Sequence, residues 1–131
     1  VQVTALVLLK DYNENPKDID ELLSLIDSFN GMAKANALVK FSLTCSSANR
    51  VLLVNTLEKT FSSDDPNTVI NVIEKLSSMN LSNEEYEKIF RSLCHFGENG
   101  QDDPNWKMIK YDLTKININI DKICTNLENS N

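Results

Sequence analysis

The sequence predicts an all-α fold: a single compact domain of about five to seven helices, built as a helical bundle or as stacked helical hairpins, and ending in a long amphipathic helix. Three observations predict it. Each of the three prolines follows an Asn or an Asp, in Asn15-Pro16, Asp65-Pro66 and Asp103-Pro104. Apolar residues recur at spacings of three and four after each pair. No run alternates apolar and polar residues between hairpin turns, as a half-buried strand would.

The Asx-Pro pairs read as helix starts. An Asn or Asp at the N-cap accepts hydrogen bonds from first-turn amides. Proline at the next position gives up an amide that has no partner there. From Pro16, the stripe Ile19, Leu22, Leu23, Ile26 and Phe29 predicts a helix over 16–30, with Asn30-Gly31 as a left-handed stop. From Pro66, Val69, Val72, Ile73 and Leu76 predict a helix over 66–80. Ser82-Asn83-Glu84-Glu85 has capping-box form and opens a helix over 83–96. From Pro104, Ile109, Leu113, Ile116, Ile120, Ile123 and Leu127 predict one long helix over 104–127. Ile116, Ile118 and Ile120 alternate in strand fashion, but the continuing three-and-four spacing favours helix.

The middle and the start carry weaker patterns. Residues 33–44 are alanine-rich and read as helix. Ser46 or Ser47 caps a further helix over 47–62, carrying Val51, Leu52, Val54, Leu57 and Phe61. The segment from Val1 to Leu9 is too apolar for a one-sided surface helix. It reads as a central helix buried all round, with a cavity wall or a dimer seam as alternatives. The helices pair in order, 16–30 with 33–44, 47–62 with 66–80, and 83–96 with 104–127, which is what stacked hairpins require. Residues 21–30 and 71–80 also resemble each other weakly.

The chain has 131 residues, the length of one ordinary domain. The expected organisation is one domain over 1–131, with a mobile loop at 97–103 and a frayed tail at 128–131. The net charge is −6, and Arg50 and Arg91 are its two arginines. A nucleic-acid binder needs a positive field to neutralise phosphates, so nucleic acid is not expected as a partner. No stretch approaches the length of a membrane span.

Cys45, Cys94 and Cys124 lie far apart, with no CxxC pair. Cys94 and Cys124 fall on apolar helix faces, where a thiol packs as a small hydrophobe. One bridge plus one free thiol stays open. The chain starts at Val1, as a mature product or an excised domain would, and Asn80-Leu81-Ser82 is a glycosylation sequon. Secretion is therefore favoured over a cytoplasmic location.

No residue pattern predicts catalysis, a cofactor or a metal. His95 is the single histidine, and Cys94 beside it invites a nucleophile–base pair. Adjacent helical side chains point about 100° apart, however, so a helix-end histidine favoured by the dipole is the better reading. Glu98, Asp102 and Asp103 lack the register of a calcium loop. Asp64/Asp65 and Glu84/Glu85 sit at helix starts, where negative charge offsets the dipole.

Two functions follow as expectations. The first is a non-catalytic interaction domain that binds a protein partner through an exposed face or groove, with Trp106, Tyr111 and His95 as contacts. Trp106 also lies on the stripe of Ile109 and Leu113, so core packing is its first role. The second is a small acidic secreted carrier that encloses a hydrophobic ligand, with Val3, Leu6, Met32, Met79 and Met108 lining the cavity.

Overall fold

The helix starts follow the cap chemistry. In the computed structural model, which describes residues 16–129, the Asp65 carboxylate accepts from the Thr68 amide and the Asp103 carboxylate from the Trp106 amide, each with proline at the next position. Ser82 and Glu85 make both bonds of the capping box. Seven α-helices result, with no strand among the described residues. They are α1 (Pro16–Asp27), α2 (Gly31–Thr44), α3 (Arg50–Ser63), α4 (Pro66–Glu74), α5 (Asn83–Phe90), α6 (Pro104–Thr114) and α7 (Ile120–Asn129). The segments Ser47–Asn49, Leu76–Met79 and Arg91–Asn99 are 3-10 helices. The apolar segment from Val1 to Leu9, the cap expected of Asn15, and the last two residues of the predicted frayed tail lie outside the described residues. Glu128 and Asn129 continue α7.

The single long helix predicted over 104–127 is corrected to two. Asn117 has φ 63. The Ile118 amide donates to the Leu113 carbonyl at 3.0 Å and the Asn117 amide to the Thr114 carbonyl at 3.0 Å. This pair of bonds around a left-handed residue is a Schellman stop. Asn119 then starts α7, its side chain accepting from the Lys122 amide at 3.2 Å. Two asparagines thus end one helix and begin the next, while Ile116 and Ile118 still pack against the core. Polar punctuation overrides an apolar stripe that runs through it.

Other boundaries shift for local reasons. The helices predicted over 66–80 and 83–96 become 3-10 after Glu74 and Phe90. Only residues 100–103 therefore separate the third 3-10 segment from α6, a shorter break than the loop expected at 97–103. Gly31 is left-handed as predicted, at φ 57, but it opens α2 rather than closing α1. In α3 the face predicted from Val51, Leu52, Val54, Leu57 and Phe61 is corrected, because four successive apolar residues at 51–54 do not fix the phase of the helix. Leu53, Val54, Leu57 and Phe61 are buried, whereas Val51 is exposed.

The helices form two rows. α2 packs most closely on α4, α3 on α5, and α4 on α6, each on the next but one in sequence. α1 touches α3 and α7 touches α5, which extends the odd row at both ends. This is the arrangement of stacked hairpins, in which each added pair buries the face left open by the one before. The weak likeness of 21–30 to 71–80 joins non-equivalent members of the hairpins, so it marks two amphipathic helices and no repeat. One apolar core, including Phe41, Leu57, Phe61, Phe90 and Trp106, runs between the rows.

Two polar ties cross that core. Lys34 in α2 is 2% exposed, and its ammonium lies 2.5 Å from the carboxylate of Asp64 just after α3. Arg50 opens α3 and donates to the Asn80 carbonyl at 3.1 Å and to Glu85 at 3.2 Å. Desolvation pushes the Glu85 carboxyl up, but the Ser82 amide and Arg50 outweigh it and hold it below its usual range. No helix among the described residues is long and apolar enough to cross a membrane.

Candidate functional site

The third 3-10 segment positions a cleft that gathers several of the predicted site residues. Arg91–Asn99 carries Cys94 and His95 alongside the start of α6 and the middle of α7. Cys94 and Cys124 form a disulfide with a Cα–Cα distance of 5.6 Å. Of the two readings open for them, packing as small hydrophobes or a bridge, the structure has the bridge: each is half-buried and bonded to the other. Cys45 stands outside the bridge, its thiol facing the Ser42 carbonyl at 4.0 Å. The disulfide binds α7 to the body, so that Asp121, Cys124 and Thr125 face the 3-10 segment across a space of about 580 Å³.

Trp106 forms the base of this cleft. It is 1% exposed, in keeping with a core role, yet it still lines the opening. Its indole packs against Gly97, where a Cβ would stand 3.2 Å from Cζ2. The indole Nε1–H is buried and has no acceptor among the described residues. Lys110 lies over the same ring, 5.7 Å from its centroid, within reach of a cation–π attraction.

His95 lies exposed at the rim of the cleft. Its Nε2 lies 2.7 Å from the Phe61 carbonyl. A carbonyl only accepts, so Nε2 carries the proton and donates. Phe61 is in the last turn of α3, where carbonyls lack helical partners. The histidine thus satisfies the end of another helix rather than its own. With Cys94 in the disulfide, no free thiol stands next to it.

The rim is polar. Arg91 pairs with Glu87 at 3.2 Å, and Asp121 pairs with Lys110 at 3.6 Å. Glu98 and Gln101 complete the lining. Sequence reasoning missed Arg91, Gln101, Asp121 and Thr125 as lining residues, because periodicity marks the faces that turn inward and says nothing of an edge. The adjacent Gly97 and the cysteine spacing were the available signals.

The remaining candidates are dispersed. Tyr111 is exposed on the outer face of α6, with the Lys115 ammonium 4.5 Å from its ring centroid. Met108 is exposed on the same helix, and Met32 is exposed at the start of α2. Met79 is fully buried in the core. These three methionines therefore do not line a common cavity; Val3 and Leu6 lie outside the described residues. Asn80 is exposed in a left-handed turn. Asp102 pairs with Lys107 at 3.9 Å while Asp103 caps α6, and no cluster of metal-ligating side chains occurs among the described residues.

With the cleft described, comparison with known proteins adds no relative: no protein family, curated protein or solved structure matches the chain.

Proposed function

We propose that the protein is a non-catalytic interaction domain whose stacked hairpins present the Trp106 cleft to a protein partner. The observation that carries this reading is the composition of the cleft: a tryptophan base beside a rigid disulfide, ringed by Arg91, Glu98, Gln101 and Asp121. Trp106 itself is almost wholly buried, so a partner would meet the disulfide and the polar rim above the indole. His95 and Cys94 already serve structural bonds, with Phe61 and Cys124, and the carboxylates of the cleft, Glu98 and Asp121, stand on its polar rim with Asp121 paired to Lys110, which supports binding over catalysis. The dispersal of Met32, Met79 and Met108 supports it over the carrier reading. The net charge of −6 favours a protein over a nucleic acid.

Thr125 is exposed at the edge of the cleft, so Thr125→Trp fills the space without touching the core. Affinity purification from the natural source compares the wild-type chain, Thr125→Trp and the outer-face variant Met32→Ala. A partner retained by the first and third and lost by the second is the expected result. Equal recovery by all three, or no partner with the wild type, defeats the reading.

A further inference from the structure

We infer that Asn80 carries an N-linked glycan, at the end of the fold away from the Trp106 cleft. The chain contains one Asn-X-Ser/Thr sequon, Asn80-Leu81-Ser82. A chance sequon often falls inside a helix or under the surface. This one falls in the turn between the 3-10 segment Leu76–Met79 and α5, at φ 53 and ψ 47. The Asn80 side chain is exposed, and its amide makes no hydrogen bond among the described residues. Its backbone carbonyl accepts from Arg50. A bulky substituent on Nδ2 therefore displaces nothing.

The disulfide is the independent observation. Bridges such as Cys94–Cys124 form and persist in oxidising compartments, and the secretory lumen that forms them is where sequons are modified. Two features far apart in sequence thus ask for one environment.

The chemistry is a glycosyl transfer from a lipid-linked pyrophosphate oligosaccharide. The bond between the sugar C1 and the phosphate oxygen breaks, a C1–Nδ2 bond forms, one amide proton is lost, and the lipid pyrophosphate departs. Ser82 Oγ accepts from the Glu85 amide at 3.1 Å and the Ser82 amide donates to Glu85 at 2.8 Å, which leaves the Ser82 O–H and a second lone pair of Oγ to the transfer enzyme.

Placement follows from α3. Asn80 is tied to Arg50 at the first residue of that helix, and His95 at the cleft is tied to Phe61 near its last turn. At 1.5 Å per residue these anchors stand about 16 Å apart along the axis. The attachment point thus lies towards the opposite end of α3 from His95, and this inference does not depend on the function proposed above.

The test is the intact mass of protein purified from its natural source, before and after peptide N-glycosidase, with peptide mapping. The expected result is a loss of one glycan's mass, with aspartate replacing Asn80 in the mapped peptide. A mass equal to that of the unmodified chain, or unchanged by the enzyme, overturns the inference. Secretion of Asn80→Gln from cultured eukaryotic cells adds a second readout: the wild-type chain runs as a heavier species that the enzyme collapses onto the variant. A wild-type chain that already co-migrates with the variant also overturns it.

Discussion

A Cβ placed on Gly97 would stand 3.2 Å from Cζ2 of the Trp106 indole. That is closer than side chains normally pack, and Trp106 is buried with little room to retreat. Two effects oppose each other in Gly97→Ala. Lower entropy of the unfolded chain stabilises by about 0.4–1 kcal/mol. Overpacking costs about 1–3 kcal/mol. The second wins, so Gly97→Ala should destabilise the fold by about 1 kcal/mol, read from the urea midpoint. A raised midpoint would show that the indole yields freely.

Lys34 and Asp64 differ in burial, and the difference predicts an ordering of variants. The lysine is 2% exposed, whereas the Asp64 side chain is 23% exposed. Asp64→Asn leaves a buried ammonium without its charge partner, for which about 3–5 kcal/mol is typical. Lys34→Met removes the buried charge and leaves a carboxylate with access to water, for which the loss of a partner costs about 1 kcal/mol or less. Chemical denaturation at neutral pH should therefore find Asp64→Asn the less stable of the two. The reverse order would mean that the ammonium finds water or another acceptor.

Acid should weaken the fold through Asp65 and Glu85. The Thr68 hydroxyl, above all, holds the Asp65 carboxyl below its usual range, and Glu85 is lowered as described. A carboxyl with a depressed folded-state pKa binds its proton more readily when unfolded. Its contribution is complete above the ordinary value of about 4 and is lost as pH falls through the folded value. Thermal midpoints should fall between about pH 5 and pH 2. Asp65→Asn keeps a capping side chain but removes the titration, so it should flatten that decline. An unchanged slope in this variant would remove Asp65 from the account.

The helix starts were legible because their chemistry is local. Asp65, Ser82 and Asp103 each accept from the amide three residues ahead, and the residue types that do so are few. The 3-10 segments were not legible. Over the three and four residues of Ser47–Asn49 and Leu76–Met79 a period of 3.0 places nearly the same residues inward as a period of 3.6, and in Arg91–Asn99 the buried Leu93 and Phe96 stand three apart, a spacing that both helices allow. The stop at Asn117 was written in the asparagines of 117 and 119, but the apolar stripe on both sides masked it.

The cleft was legible only in part. His95 and Trp106 stood out as rare residues. Their meeting depends on where the 3-10 segment sends Gly97 against the indole, which is a long-range consequence. The cysteine pairing was equally hidden, since three cysteines allow three single bridges and only packing selects Cys94 with Cys124. The two-row stacking was anticipated by the ordered pairing of helices, because hairpins that follow one another in sequence bury their faces on their neighbours.

Reduction of the disulfide should act unevenly along the chain. The bridge closes a loop with a sequence separation of 30, for which the loss of unfolded-state entropy corresponds to about 3–4 kcal/mol. Global stability should fall by that order in Cys94→Ser/Cys124→Ser. The local effect should be larger in α7 than elsewhere. Its remaining described ties are the buried Ile120, the half-buried Ile123 and the Asp121–Lys110 pair at 3.6 Å, and an exposed ion pair adds little. Hydrogen exchange of the double variant should therefore accelerate first at residues 120–129, while α3 and α4, in the middle of the two rows, keep their protection. Uniform acceleration across all seven helices would show that the bridge supports the whole core and does not specifically hold α7 as the wall of the Trp106 cleft.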